Sequence, residues 1–293
     1  MSKFIIIQGD STDAHNLLSA YLNKVSLVVT SPPYHNAISY ETHATDSELN
    51  YRIRESISYK DEYLHLLNKV WSSSWKLLKP GGYLSINVGS VLEKGYHFSL
   101  PQDIQSELLG SENNWEFIRN IVWNKVTAGV KRAGSVIKYA QPGYWYPNIM
   151  TEHIIIFKKP GEVDKFNTDV PGEWWEPVWD LAPVPPRSID HPAPFPEEIP
   201  HRLIRMLTSV DDLIFDPFNG AGATTKAAYD LKRFPLGIDL EQKYVDLAVN
   251  RIYQNSLIRN EQLRIKPAAA QDFHPGRSKG KTRHGAGKKV KTK

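Results

Sequence analysis

The chain of 293 residues contains no cysteine, only 3 methionines and no long apolar run. Without cysteine the protein forms no disulfide, no thiolate metal site and no covalent intermediate through a sulfur nucleophile. No stretch approaches the roughly 18–20 apolar residues of a membrane-spanning helix. The first residues also lack the pattern of a secretory signal. We therefore expect a soluble, cytoplasmic protein.

A large excess of charge is also missing from most of the chain. The sequence has 36 Lys and Arg against 32 Asp and Glu, and a net charge of +4. Eight of the basic residues and no acidic residue lie in 275–293, so the rest of the chain is mildly acidic. Residues 266–293 are rich in Ala, Gly, Lys and Arg, a composition typical of disorder. This basic tail is either an arm that follows phosphates or simply a solvated tail.

Hydrophobic residues make up 41% of the chain, and with eight tryptophans they are sufficient for a folded core. Short apolar runs rich in β-branched residues alternate with helical stretches, a pattern typical of buried parallel strands. The predicted strands are 4–7, 25–29, 83–88, 117–123, 153–157, 213–215 and 236–238. The predicted helices are 14–22, 63–78 after a capping box at 58–61, 197–207, 224–231 and 242–253. The sequence thus predicts an α/β protein, with an irregular segment at 125–186 and a proline-rich connector at 183–200.

A glycine motif, Asp-Pro-Phe-Asn-Gly-Ala-Gly at 216–222, lies between a predicted strand and a predicted helix. Its glycines let a ligand approach the backbone, and the helix amino terminus offers free N–H groups. Asp239 ends the next strand, at a spacing typical of an acid that binds ribose hydroxyls. Thr225 stands where a dinucleotide motif has its third glycine, which favours an adenosyl ligand without phosphates. Alternatively, the glycines serve only a tight turn and Asp239 caps the next helix.

A second motif, Ser-Pro-Pro-Tyr at 31–34, follows Thr30 at the end of another predicted strand. The two prolines stiffen the backbone and leave carbonyl groups free to accept hydrogen bonds. A hydroxyl, a fixed carbonyl and an aromatic ring suit a planar group that bears an NH2, because oxygens accept its hydrogens while the ring stacks on it. The alternative is a rigid turn whose tyrosine only packs.

Together the two motifs resemble those of the DNA amino-methyltransferases, which methylate exocyclic nitrogens with S-adenosyl-L-methionine. The resemblance covers most of residues 4–254, and the catalytic motif precedes the cofactor motif, as in the beta group of the family. The segment His-Pro-Ala-Pro-Phe-Pro at 191–196 is similar to the family's other cofactor-flanking motif, and Gly9-Asp10 also matches. Ser-Pro-Pro-Tyr after threonine is typical of N4-cytosine enzymes of restriction-modification systems, whereas Asp-Pro-Pro-Tyr is usual for N6-adenine enzymes.

The resemblance implies a Rossmann-like, circularly permuted sheet of about seven mostly parallel strands. Residues 1–124 and 187–265 would form the catalytic and cofactor-binding domain, and 125–186 a target-recognition region. The implied catalytic residues are Ser31, Pro32, Pro33 and Tyr34. The implied cofactor-binding residues are Asp10, which would contact the adenine, and Thr30, Phe195, Asp216, Pro217, Phe218, Gly220, Gly222 and Asp239. No metal is expected.

The implied reaction is direct methyl transfer to N4 of a flipped-out cytosine in double-stranded DNA. Methylation at ring carbon 5 needs a thiolate nucleophile, so the absence of cysteine excludes it. The implied partners are double-stranded DNA and a cognate restriction endonuclease, in a prokaryotic, nucleoid-associated setting. The alternatives are N6-adenine methylation of DNA, methylation of RNA or of a protein glutamine, and a catalytically silent nucleic-acid-binding protein.

Residues for DNA contact are predicted where bases and aromatic residues interleave. The predicted DNA-binding residues are Lys125, Lys131, Arg132 and Lys138, with Arg52 in a loop at 35–58 that is able to close over the flipped base. The neighbouring aromatics are Tyr139, Tyr144, Trp145, Tyr146, Trp174, Trp175 and Trp179. The alternative is that these aromatics cover a small satellite core.

Overall fold

The computed structural model describes residues 4–33, 63–93, 96–125, 150–163, 167–185, 189 and 195–264. Residues Met1–Tyr253 form one compact unit and Gln254–Lys293 a second, of which the end of a helix is described. The predicted capping box at 58–61 and the basic tail lie outside the described residues. None of the described helices is long and apolar enough to cross a membrane.

An eight-stranded sheet organises the first unit. Its strands and those of a separate hairpin are β1 (Ile5–Gln8), β2 (Val25–Thr30), β3 (Leu78–Val88), β4 (Val91–Glu93), β5 (Tyr96–Phe98), β6 (Glu116–Asn124), β7 (Thr151–Lys158), β8 (Val178–Asp180), β9 (Leu213–Asp216) and β10 (Phe234–Asp239). The strand order in the sheet is β1-β10-β9-β2-β3-β7-β6-β8, and β4 pairs with β5. Only β7 runs antiparallel to its neighbours. The predicted mostly parallel α/β sheet is confirmed, with the short edge strand β8 added.

Helices cover both faces of this sheet. They are α1 (Ala14–Leu17), α2 (Leu64–Leu77), α3 (Leu100–Gly110), α4 (Glu198–Leu207), α5 (Ala223–Asp230) and α6 (Gln242–Arg264). On one face α1, α2 and α3 pack on the sheet, and on the other α4 and α5 pack with Trp174 and Trp179. All six residues of β2 are buried, because the strand is covered on both faces. This double burial explains its continuous apolar sequence.

The junction between α2 and β3 differs from the prediction. Residues 79–82 were expected to separate the helix from a strand at 83–88, but β3 begins at Leu78, directly after α2. Its pairing with β2 passes from Val25–Leu78 to Leu27–Tyr83, so the intervening residues form a bulge. Gly81 has φ of +78°, a conformation that glycine adopts without strain. The glycines therefore interrupt the pairing locally and do not end the strand.

Part of the predicted target-recognition segment 125–186 belongs to the sheet. Strand β7 lies between β3 and β6, and β8 pairs with β6 at the edge. The apolar residues Ile154–Phe157 of β7 are buried in the core. The proposed boundary of a separate region is therefore corrected, because burying this run requires a position inside the sheet. Residues 126–149 lie outside the described residues, and their role in DNA recognition stays a prediction.

Candidate active site at the carboxyl ends of β9 and β2

The two sequence motifs meet where the strand order reverses. After β9 the chain continues through α5 to β10 on one side, and after β2 it continues through α2 to β3 on the other. Adjacent parallel strands whose connections diverge in this way leave a crevice at their carboxyl ends, the usual ligand site of open α/β sheets. Asp216 ends β9 and Thr30 ends β2. The fold thus brings the glycine motif and the Ser-Pro-Pro motif to one place.

A buried hydrogen bond joins the motifs. The Thr30 hydroxyl donates to Oδ1 of Asp216 at 2.6 Å, and the Phe218 N–H donates to the same oxygen at 3.0 Å. Thr30 and Asp216 are both fully buried. Burial raises the pKa of Asp216 to about 6, although these two hydrogen bonds lower it. Oδ2 of Asp216 has no hydrogen-bond partner among the described residues.

The glycine motif is a close-packed loop. Gly222 has φ of +78°, and a Cβ at this position would lie 2.7 Å from the Cβ of Ala248 on α6. Gly220 has φ of +46°, and its N–H donates to Oδ2 of Asp239 at 2.7 Å. The glycines are therefore required by backbone conformation and packing, as the alternative interpretation stated, and they also keep the loop free of side chains.

Asp239 holds the loop and the start of α6 together. Besides the bond from Gly220, Oδ1 of Asp239 accepts a hydrogen bond from the Glu241 N–H at 3.0 Å. The predicted capping role is thus present. Burial raises the pKa of Asp239. A carboxylate has about four lone-pair sites, so these two bonds leave capacity for a ligand hydroxyl.

Asp10 lies at the same edge of the sheet, just after β1. Gln8 pairs with Asp239 across β1 and β10, and exposed Asp10 accepts a hydrogen bond from the Thr12 N–H at 2.8 Å. The Ser11 hydroxyl donates to the Pro217 carbonyl, which ties this turn to the glycine motif. Three predicted cofactor residues, Asp10, Asp216 and Asp239, therefore place carboxylates along one edge. Such an edge favours a ligand that carries positive charge and hydroxyl groups.

The Ser-Pro-Pro turn is held by residues that the sequence prediction missed. The Tyr63 hydroxyl donates to the Pro33 carbonyl at 2.5 Å, and the Thr224 hydroxyl donates to the Val29 carbonyl at 3.2 Å. Tyr63 precedes α2 and is buried. Its helical spacing predicted only a packing role, and no local signal pointed to the hydroxyl. Tyr34, the last residue of the motif, lies outside the described residues.

Phe195 lies close to the glycine motif in the chain's tertiary arrangement. It is partly buried and packs against the core layer of α4 and α5. Two residues later, Glu197 pairs with Lys226 on α5 at 2.9 Å and with Arg251 on α6. Arg251 also donates to the Ala221 carbonyl of the glycine motif. A contact of Phe195 with the cofactor stays a prediction, and residues 191–194 lie outside the described part.

Of the predicted DNA-binding residues only Lys125 is described. Its ammonium group pairs with the buried carboxylate of Glu152 and lies 5.0 Å from the ring centroid of Trp123. Asn87 on β3 donates to the same carboxylate at 2.7 Å. This position gives Lys125 a structural role beside the sheet, and phosphate contact stays a prediction. The other predicted residues, Lys131, Arg132, Lys138 and Arg52, lie outside the described ranges.

The tryptophans at 174 and 179 belong to the core. Both are buried, and the guanidinium of Arg202 lies 5.3 Å from the ring centroid of Trp174 and 5.1 Å from that of Trp179. For these two residues the alternative of a packing role holds, although in the main core and not in a satellite. Trp175 is 43% exposed. No group of three or more potential metal ligands occurs in the described part of the chain.

Comparison with known proteins gives matches over most of the chain. The sequence model of the N6/N4 methyltransferases, described as DNA methylase, matches residues 25–250. The type II beta methyltransferase M.BslI of Bacillus sp. (strain NEB-606) is 28% identical over 84% of this chain, which spans only 27% of M.BslI. M.MthZI, a type II methyltransferase of Methanothermobacter thermautotrophicus, is 29% identical over 86% of this chain and 77% of its own length.

Two solved structures show the same fold. The DNA modification methylase assigned as TTHA0409 of Thermus thermophilus, complexed with S-adenosyl-L-methionine, has a TM-score of 0.58 and 30% identity. The match covers 86% of this chain and 95% of that one. PvuII DNA methyltransferase, described as cytosine-N4-specific, has a TM-score of 0.68 at 21% identity and covers 90% of this chain and 94% of its own. At that identity the second match bears on the fold alone.

Proposed function

The chain belongs to the N6/N4 DNA methylase family, and from this premise we propose that it methylates N4 of a flipped-out cytosine in duplex DNA. The observation that carries the proposal is the hydrogen bond between Thr30 and Asp216. It places the Ser-Pro-Pro turn directly beside the glycine motif, so a target amino group and a methyl donor are able to meet there. The cofactor is S-adenosyl-L-methionine, which TTHA0409 holds in its crystal structure.

The described residues fit this cofactor. Three carboxylates line one edge of the site, and Oδ2 of Asp216 is buried without a hydrogen-bond partner among the described residues. Carboxylates favour the positive charges of the cofactor and accept hydrogen bonds from its ribose hydroxyls. The residues that would hold it are Asp10, Phe195, Asp216, Pro217, Phe218, Gly220, Gly222 and Asp239. When bound, the cofactor supplies a methyl group activated by a positively charged sulfur.

The Ser-Pro-Pro turn is suited to an amino group. Pro32 and Pro33 have no N–H, so the backbone there only accepts hydrogen bonds. The Pro33 carbonyl already accepts from Tyr63, which leaves the Pro32 carbonyl and the Ser31 hydroxyl oxygen for the two amino hydrogens. Accepting both hydrogens favours a pyramidal nitrogen with an exposed lone pair. Catalysis then rests on positioning and electrostatic stabilisation, with the Tyr34 ring as the proposed stacking surface.

The choice of cytosine rests on Ser31. The family tends to place serine before the two prolines in N4-cytosine enzymes and aspartate in N6-adenine enzymes. N6-adenine methylation remains the second candidate, because the same acceptor geometry suits the adenine amino group. Modification of RNA or of a protein glutamine is less favoured, since the matching family is one of DNA methylases and the motif order is that of its beta group.

Mass spectrometry of product DNA tests the proposal. Purified protein is incubated with plasmid DNA and a cofactor that carries a deuterated methyl group, and the DNA is digested to nucleosides. We expect deuterated N4-methyldeoxycytidine. Deuterated N6-methyldeoxyadenosine would overturn the choice of base, and a protein that binds the cofactor but labels no nucleoside would support the silent binding protein instead.

The Ser31→Ala variant is the matched control for this assay. Removing one acceptor of the amino hydrogens should lower the rate by about 100-fold, because its contribution is made at the reacting nitrogen. Cofactor affinity, measured by calorimetry, should stay within twofold. A near wild-type rate in this variant would remove Ser31 from the catalytic assignment.

A role in restriction-modification forms part of the proposal. Several similar proteins are named type II methyltransferases, so we propose a cognate restriction endonuclease that acts on the same site. Methylation sequencing of DNA from a host that expresses the chain identifies the site. That DNA should then resist an endonuclease that recognises it, and cleavage at fully methylated sites would contradict this role.

A further inference from the structure

We propose that Tyr63 is a positioning residue for methyl transfer, which acts through the Pro33 carbonyl on the Ser-Pro-Pro turn. The inference rests on the proposed function and adds a residue outside both sequence motifs. Tyr63 contacts the turn with its hydroxyl, while its ring is part of the core.

The turn has few means of being held in place. Because both prolines lack an N–H, neither position donates a backbone hydrogen bond. The Tyr63 hydroxyl supplies a donor from outside the turn, at 2.5 Å from the Pro33 carbonyl oxygen. Tyr63 is only 3% exposed and packs with Leu64 and Leu67 of α2. The donor therefore sits on a ring with little freedom to move.

The two ends of the turn are anchored to different parts of the fold. At the first end Thr30 pairs with Ile86 of β3 and donates to Asp216. At the other end the Pro33 carbonyl is held by Tyr63. The Pro32 carbonyl lies between these anchors, and planar peptides with fixed proline φ angles transmit a rotation at Pro33 to it. Loss of the Tyr63 hydroxyl should therefore misdirect the acceptor of an amino hydrogen.

The helix that follows Tyr63 also contacts the cofactor motif. Trp71 of α2 is buried, and its ring meets the Phe218 ring edge-on with the centroids 6.1 Å apart. One helix thus packs on the glycine motif while the tyrosine at its start holds the Ser-Pro-Pro turn. Because a shift of about 1 Å between reacting groups costs as much as 100-fold in rate, this common support matters for the methyl transfer step.

The test is the Tyr63→Phe variant, which removes one oxygen and keeps the ring. The matched control is Tyr21→Phe, at a partly buried tyrosine that packs on Phe234, before the amino end of β2 and away from the turn. We expect kcat for DNA methylation to fall about 10- to 100-fold in Tyr63→Phe, as for a small misplacement of reacting groups. The dissociation constant of S-adenosyl-L-methionine should stay within twofold, and the Tyr21→Phe variant should match the wild type.

Three results would contradict the role of Tyr63. An unchanged kcat in Tyr63→Phe would overturn it and leave the proposed function standing. A loss of cofactor affinity that parallels the loss of kcat, with a lower thermal midpoint, would show a general structural defect in place of positioning. Absence of methyl transfer by the wild-type protein would overturn the proposed function and the role of Tyr63 together.

Discussion

Asp216 connects the two motifs through one carboxylate oxygen and leaves the other buried without a partner among the described residues. Burying a carboxylate is unfavourable for folding, because the charged form loses its hydration. The raised pKa of Asp216 expresses this cost. A residue that destabilises the protein in its charged form is typical of a functional site, where a ligand of opposite charge supplies the missing interaction.

The pH dependence of stability should reveal Asp216. Because burial raises its folded-state pKa to about 6, above the ordinary 3.8, its contribution is fully present below pH 3.8 and is lost as the pH rises through 6. Relative to Asp216→Asn, the wild-type free energy of unfolding should fall with rising pH, by an amount on the order of 3 kcal/mol in total. Urea denaturation between pH 4.5 and 7 measures this difference. Asp211→Asn, at an exposed aspartate, is the control, and parallel profiles for wild type and Asp216→Asn would contradict the prediction.

At the scale of elements, the start of α5 depends on the close approach of the glycine motif to α6. Gly222 combines a positive φ with a distance that leaves no room for a side chain beside Ala248. Asp239 holds the same loop through the Gly220 N–H. The site's shape is thus set by backbone packing between two helices and a strand end, and it is sensitive to single atoms.

Gly222→Ala tests this packing. The strained φ and the overlap with Ala248 should together lower the free energy of unfolding by about 2–4 kcal/mol and weaken cofactor binding. Gly110→Ala is the matched control, because a Cβ at the end of α3 meets nothing within 4 Å. That variant should be neutral or more stable by about 0.5–1 kcal/mol. Urea denaturation and calorimetry give both quantities, and equal behaviour of the two variants would be inconsistent with the tight packing.

For the molecule as a whole, residues 126–149 form an exchangeable segment. The Lys125 N–H donates to the Met150 carbonyl at 3.1 Å, so the residues that flank the segment are adjacent in the sheet. Replacing 126–149 with the corresponding residues of a relative should therefore preserve the fold and cofactor affinity while it changes the methylated sequence. Methylation sequencing of host DNA measures the outcome. An unchanged site would move base recognition to another part of the chain.

The basic tail gives a second prediction at this scale. Its eight Lys and Arg stand against a mildly acidic remainder, so an arm that contacts phosphates would supply affinity without specificity. Deleting 275–293 should weaken DNA binding at low salt, reduce the salt dependence of the affinity and leave the methylated site unchanged. Fluorescence anisotropy over a salt series measures this. Equal affinity with and without the tail would show that it is only solvated.

Much of the fold follows from local sequence. The apolar runs of β1, β2, β9 and β10 and the glycine and proline motifs at their ends were predictable, because burial of a strand and turn conformation are properties of neighbouring residues. The continuous strand β3 was not, since whether Gly81 and Gly82 end a strand or form a bulge depends on pairing with β2. The place of β7 inside the sheet likewise depends on its neighbours β3 and β6.

The sequence by itself determined the chemistry available to this protein: no thiolate, a rigid turn of acceptors, and a glycine loop beside an acid. Only the tertiary structure decided how these parts meet. Thr30 bonds to Asp216 across 186 positions, and Tyr63 bonds to Pro33 across 30. Such contacts depend on strand order and on the packing of α2, which are set by the burial of the whole core and leave no signature in the residues around each group.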